Sequence, residues 1–160
     1  MTFTRPFSRL AAVGLTALMS LAMSGNSFAQ SGLRIGAGSA LASPFALNLQ
    51  ANVPFATIQK AGETLTLAGR ADAAIVPGTT PAVGASLMML GSEEHVLQPY
   101  LAIGAGLSFT GAGVLLTGYG TTGMHFSIAG NWGGFTEAQF SKSEFSSSLR
   151  LALGATYTFR

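Results

Sequence analysis

Three residues whose side chains could do chemistry together stand in the last third of the chain. His125 and Ser127 are two apart, and Glu137 follows ten residues after the serine. A serine, a histidine and a carboxylate are the set used for nucleophilic acyl chemistry. In an extended strand the i, i+2 spacing places His125 and Ser127 on one face, and Glu137 could lie on the neighbouring strand. The competing reading is accidental proximity, since a histidine and a serine two apart are common. Other chemistry is poorly supported. His95 and His125 are thirty residues apart and the chain has no cysteine, so no metal site follows from spacing. No glycine run has the phosphate-loop or dinucleotide pattern. Neither a metal nor a cofactor is expected.

The elements that must position these residues are strands. Leu149, Leu151, Leu153, Ala155, Tyr157 and Phe159 share one parity, while Arg150, Ala152, Gly154, Thr156 and Thr158 share the other. In an extended chain these are opposite faces, one apolar and one small or polar. The alternation recurs. Ile35 and Ala37 oppose Arg34 and Gly36, and Phe45, Leu47, Leu49, Val53 and Phe55 oppose Asn48, Gln50 and Asn52. Leu65, Leu67 and Ile75 oppose Arg70 and Asp72, and Leu101 and Ile103 oppose Gln98, Tyr100 and Ala102. Met124, Phe126 and Ile128 oppose His125 and Ser127, and Thr136, Ala138 and Phe140 oppose Glu137 and Gln139. The spacing predicts eight strands near 32–40, 45–55, 64–75, 82–91, 95–108, 118–130, 134–142 and 146–159. Turn-forming residues separate them, as at Pro77-Gly78 and from Asn131 to Gly134.

Ahead of the strands lies an address. Arg5 and Arg9 precede the apolar run Leu10–Met23, and Ser27 and Ala29 occupy the small-residue positions of a cleavage site. This is the three-part pattern of a secretory signal peptide over 1–29, cut between Ala29 and Gln30. The apolar run is shorter than the roughly 20 residues a membrane-spanning helix needs. Positions 30–160 form one domain. The whole chain has eight Lys and Arg against six Asp and Glu; the part after Ala29 has six of each and is neutral. No basic patch is left for nucleic acid.

Charge placement decides which solvent the apolar faces meet. No Asp, Glu, Lys or Arg occurs between Glu94 and Glu137. Six charges fall in or beside turns, and Arg34, Arg70, Asp72, Glu137 and Arg150 fall on the small, polar faces. A soluble sandwich would turn its apolar face inward and carry many charges on its wet face. Here the polar face is mostly Gly, Ala, Ser, Thr and Asn, which suits a narrow interior. Phe45 and Phe55 share a face ten residues apart, which projects to roughly 25 Å on a tilted strand, the height of an outer-membrane barrel's apolar band. Phe140, Tyr157 and Phe159 also sit near strand ends, where aromatic girdles lie. The expected fold is an all-β, eight-stranded antiparallel up-and-down transmembrane barrel with short loops.

At this point the chain resembles a known group. Gln98-Pro99-Tyr100-Leu101-Ala102-Ile103-Gly104-Ala105-Gly106-Leu107 resembles the glycine-alternating strand of small OmpA- and OmpW-like outer-membrane barrels. Phe135-Thr136-Glu137-Ala138-Gln139-Phe140 is similar to their seventh strand and ALGATYTF to their closing strand. The chain departs from them in ending on Arg160 after Phe159. The resemblance implies a bacterial outer-membrane location, with lipid and the barrel-assembly machinery as partners and other envelope proteins as candidates. The His125-x-Ser127…Glu137 set is similar to that of the lipid A deacylase barrels, which implies Ser127 as nucleophile, His125 as base and Glu137 as orienter. That family has Asn after its serine, where this chain has Ile128.

Eight strands enclose a space that side chains can just fill. The inward Arg34, Arg70, Asp72, Glu137 and Arg150 are expected to pair, because an unpaired buried charge is costly. They read as a plug that favours a non-catalytic role in envelope integrity. The rivals are a lipid hydrolase, a small-solute, porin-like pore and a soluble periplasmic binding barrel. Outward-facing connections are expected near 41–44, 76–81, 109–117 and 143–145, too short for a typical adhesin.

Overall fold

The computed structural model describes residues 32–41, 46–60, 63–75, 81–92, 96–110 and 113–159. The leader and its cleavage site at Ala29 and Gln30 lie outside the described residues, as do Phe45 and His95. Eight strands follow in order: β1 (Arg34–Ala40), β2 (Ala46–Lys60), β3 (Glu63–Ile75), β4 (Ala82–Leu90), β5 (Leu97–Thr110), β6 (Gly113–Ala129), β7 (Trp132–Ser143) and β8 (Ser147–Thr158). Each pairs antiparallel with the next and β8 pairs with β1, so the sheet closes into an up-and-down barrel.

Closure fixes the geometry. Partners can be followed from Arg34 through Asn52, Arg70, Ser86, Gly104, Tyr119, Ser141 and Ser148. With the β8–β1 register the walk closes on a stagger of ten residues. Ten residues at ~3.3 Å, set against eight strands at ~4.8 Å, tilt the strands by about 40°. This stagger brings residues far apart in sequence to one level of the interior.

The faces are inverted relative to a water-soluble protein. Among the described residues thirteen polar or charged side chains are buried, against ten apolar ones. The large aliphatic side chains stand outside: Ile103 is 74% exposed, and Leu47, Leu87, Leu101, Leu151 and Leu153 are exposed as well. The apolar belt runs from the level of Phe55 and Trp132 to that of Phe140 and Leu149, about 25 Å along the barrel axis. At the rim where β1 begins and β8 ends, called the chain-end rim below, Trp132 meets Tyr157 edge-on at 5.0 Å and Tyr157 meets Phe159 at 4.9 Å.

Two hairpins overrun the barrel. β2 pairs with β1 only as far as Asn52, and Val53–Lys60 continue with β3 alone at the chain-end rim. At the opposite rim β5 and β6 pair out to Thr110 and Gly113. This corrects the expected connection at 109–117, most of which is strand. Gly113, the first residue of β6, takes a positive φ of 141°, a conformation glycine tolerates. Bulges interrupt the ladders between Pro54 and Ala56 and between Ser127 and Ala129.

Candidate functional site

The interior is a stack of polar side chains tied across the barrel. At its centre Arg70 of β3 donates from Nη1 and Nη2 to Glu137 of β7, at 2.8 and 3.2 Å. Its Nε donates to Asp72 Oδ1 at 2.5 Å. One guanidinium thus holds both lumen carboxylates, and the forked geometry suits a bidentate bond. Two tyrosines close the cluster. Tyr100 of β5 donates to Glu137 Oε2 at 2.8 Å, and Tyr119 of β6 donates to Asp72 Oδ2 at 2.9 Å. Strands β3, β5, β6 and β7 are joined through this one knot.

Glycines on the inward face make room for the rings. A Cβ on Gly123 would come within 2.6 Å of the Tyr100 ring and hydroxyl, and one on Gly84 within 2.8 Å of the Tyr119 hydroxyl. Neither tyrosine could reach its carboxylate past a larger residue. Sequence reading put Tyr100 on an inward face without assigning it a role, and Tyr119 fell beside a stretch read as loop.

Toward the chain-end rim a second group forms around Arg34 of β1. Its Nη1 donates to Gln98 Oε1 at 3.1 Å and lies 2.6 Å from His125 Nδ1; its Nε donates to Thr158 Oγ1 at 3.3 Å. A guanidinium only donates, so His125 Nδ1 accepts and the ring hydrogen sits on Nε2. The imidazole also lies against the Tyr100 ring, with centroids 4.6 Å apart. Near the opposite rim Arg150 of β8 donates from Nη1 to Asn48 Oδ1 at 2.8 Å. Beside this pair is a cavity of about 60 Å³ bounded by Asn48, Asp72, Ala74, Gly84, Gln139 and Arg150.

The His125, Ser127 and Glu137 set is split. Glu137 lies on the strand next to His125, but its register partner is Gly123, whereas His125 faces Phe135. Both Glu137 oxygens are engaged by Arg70 and Tyr100. Ser127 is exposed beside the bulge, and no hydrogen bond joins it to His125 among the described residues. Among the aromatic residues expected as girdles, Phe55 and Phe159 are exposed near the chain-end rim, Phe140 is exposed toward the opposite rim, and Tyr157 is half-buried between Trp132 and Phe159. Trp132 was missed because it follows a turn. No three His, Asp or Glu side chains gather as a metal site among the described residues.

Comparison with known proteins gives fold and no more. No protein family matches the sequence, and no curated protein does. Solved structures do match. The Yersinia pestis outer membrane protein Ail in a phospholipid nanodisc superposes with a TM-score of 0.56 at 14% identity, covering 81% of this chain and 100% of that one. A de novo designed transmembrane β-barrel gives 0.51 at 12% identity, covering 81% and 96%. The outer membrane enzyme PagL gives 0.51 at 9% identity, covering 79% and 99%. The chain therefore has the fold of the eight-stranded outer-membrane β-barrels, a fold these neighbours share across different tasks.

Proposed function

We propose that this protein is an integral barrel of the bacterial outer membrane, closed by side chains and without catalysis, that contributes to the integrity of the envelope. Outer-membrane lipid surrounds its apolar belt, the barrel-assembly machinery inserts it, and other envelope proteins are its candidate partners. The observation that carries the reading is the Arg70 knot. A guanidinium bonded to two carboxylates, themselves held by Tyr100 and Tyr119, spans the interior between β3 and β7. A path for solutes would have to break several charge-assisted bonds in a low-dielectric interior. The test is current across planar bilayers seeded with protein whose gel mobility shifts on boiling. A flat trace is expected; discrete conductance steps from the unaltered protein would overturn the closed lumen.

A second reading keeps the hydrolase, because the chain carries His125 and Ser127 at matching spacing and one structural neighbour is an enzyme. Geometry favours it less. The nitrogen of His125 that could accept a serine proton is taken by Arg34, and Glu137 is committed to Arg70 and Tyr100. Fatty-acid release from lipid A by the folded protein, lost in Ser127→Ala, would establish the hydrolase. Release no greater than from protein-free lipid leaves the structural reading standing, and release undiminished in Ser127→Ala removes Ser127 as the nucleophile.

A further inference from the structure

The two overrunning ribbons each carry an apolar outer face. At the rim opposite the chain ends, Leu107 pairs with Leu116 and Phe109 with Val114. Paired residues share a face, and this one looks outward, since Val114 and Leu116 are exposed. Val114 stands six residues beyond Gly120, the partner of Phe140, and so about 10 Å above the upper edge of the belt. At the chain-end rim a bulge does the same work for the β2–β3 ribbon. On β2 the even positions Asn48, Gln50 and Asn52 are buried inside, and unbroken alternation would turn Ile58 inward with them. The extra residue, Phe55, reverses the parity: Pro54 pairs with the buried Ala68, but Ala56 pairs with Leu67 and Ile58 with Leu65. Ile58 is therefore on the outer face, 47% exposed, about 5 Å below the belt.

We propose that the outer faces of both ribbons lie against lipid acyl chains, so that the barrel sits tilted in the bilayer, leaning toward β5 and β6. This rests on the membrane reading above. Continuity names the occupant: Leu101, Ile103 and Leu107 of the belt run on into the β5–β6 ribbon without a break. Charge agrees, because no Asp, Glu, Lys or Arg occurs between Glu94 and Glu137, and the β2–β3 ribbon meets its first charges at Lys60 and Glu63, beyond Ile58. Placement then sets the lean. The ribbons are three strands apart in a ring of eight and leave by opposite rims. The apolar surface is thus high on one side and low on a nearly opposite side. One rotation lowers the first ribbon and raises the second, and tilting is how a membrane protein accommodates apolar surface taller than the surrounding hydrocarbon. A rise of about 10 Å across a barrel about 25 Å wide with its side chains corresponds to a tilt of about 20°.

The chain has no cysteine, so single cysteines can carry a nitroxide label without a background. Val114→Cys, Ile58→Cys, Ile103→Cys, Ser147→Cys and Thr57→Cys are folded into dimyristoyl phosphatidylcholine vesicles, whose acyl layer matches the belt in height. Electron paramagnetic resonance then compares collisions with oxygen, which enters lipid, and with a nickel chelate, which stays in water. Val114 and Ile58 are expected to favour oxygen several-fold, as Ile103 does at mid-belt. Ser147, lower along the barrel axis than Val114 but on β8, should favour nickel, and so should Thr57, which pairs with the inward Thr66. Should a ribbon variant fail to change gel mobility on boiling, Leu116→Cys or Leu65→Cys is read in its place on the same face. Nickel dominating at both ribbons while Ile103 favours oxygen means an upright barrel and overturns the proposal, leaving the membrane reading intact. Oxygen dominating at Val114 alone means that the bilayer rises to meet one ribbon, and overturns the tilt. A Val114 label shielded from both reagents means a second copy seated there, and overturns the lipid contact. Nickel dominating at Ile103 overturns the membrane reading and the proposal together.

Discussion

Replacing Arg70 by methionine tests whether the knot holds the barrel. Arg70 is 3% exposed and stands between Asp72 and Glu137, whose side chains are 13% and 1% exposed. Arg70→Met removes the cation and leaves two carboxylates in the same interior, each keeping one tyrosine hydroxyl. Breaking a buried pair by deleting one partner costs about 3–5 kcal/mol, because an uncompensated charge stays behind. Against a total stability of about 5–15 kcal/mol that is a large fraction. The triple change Arg70→Met, Asp72→Leu, Glu137→Leu removes all three charges together. Ionic clusters replaced whole by apolar groups are neutral or stabilising by about 1–4 kcal/mol, so the triple variant should recover most or all of what the single one loses. The assay is equilibrium urea unfolding in lipid vesicles. Trp132 is the chain's one tryptophan and sits at the rim of the apolar belt, so its emission reports insertion directly. Arg70→Met within about 1 kcal/mol of the unaltered protein would refute the reasoning. So would a triple variant as unstable as the single one, since the loss would then come from packing and not from charge.

The belt gives a second test. Ile103 lies near mid-height on the outer face, and Ile103→Arg should cost about 2–4 kcal/mol in a bilayer; a change within about 0.5 kcal/mol, as for an ordinary water-exposed site, would move the apolar face out of lipid. The glycines give a paired third. Gly123→Ala crowds the Tyr100 ring and the Thr136 carbonyl, and should cost about 1–3 kcal/mol in the same unfolding assay. Gly69→Ala meets nothing within 4 Å and should be neutral or mildly stabilising. Equal effects at the two glycines would show that the inward one is not a seat for the ring.

The closed all-β fold was legible because one physical signal, alternation with period two, runs through every strand. Arg34, Arg70 and Arg150 each stand at an inward position that the apolar residues around them had already determined. The length of the strands was not legible to the same degree. Thr110 and Gly113 are paired where glycine and apolar residues read as loop, because a two-stranded overrun needs no face buried and so leaves no alternation to detect. The bulge between Ser127 and Ala129 has no sequence mark either. It follows the point where β6 leaves the even ladder, and it leaves Ser127 exposed at the rim.

Which inward residues meet is a separate question, and parity alone does not answer it. Arg70 and Glu137 are 67 positions apart. They meet because tilted strands and a ten-residue stagger bring β3 and β7 to one height across a narrow interior. A different stagger with the same alternation would keep every side chain inside and exchange its neighbours. Arg150 could then have faced Glu137, and Arg70 could have been left with an amide. The division of labour between an arginine that ties the barrel and one bonded to a neutral amide therefore belongs to closure geometry. It follows that a change of register, such as one residue deleted from the turn between β6 and β7, should disturb the knot more than any single substitution on the outer face, because it moves Glu137 away from both Arg70 and Tyr100 at once.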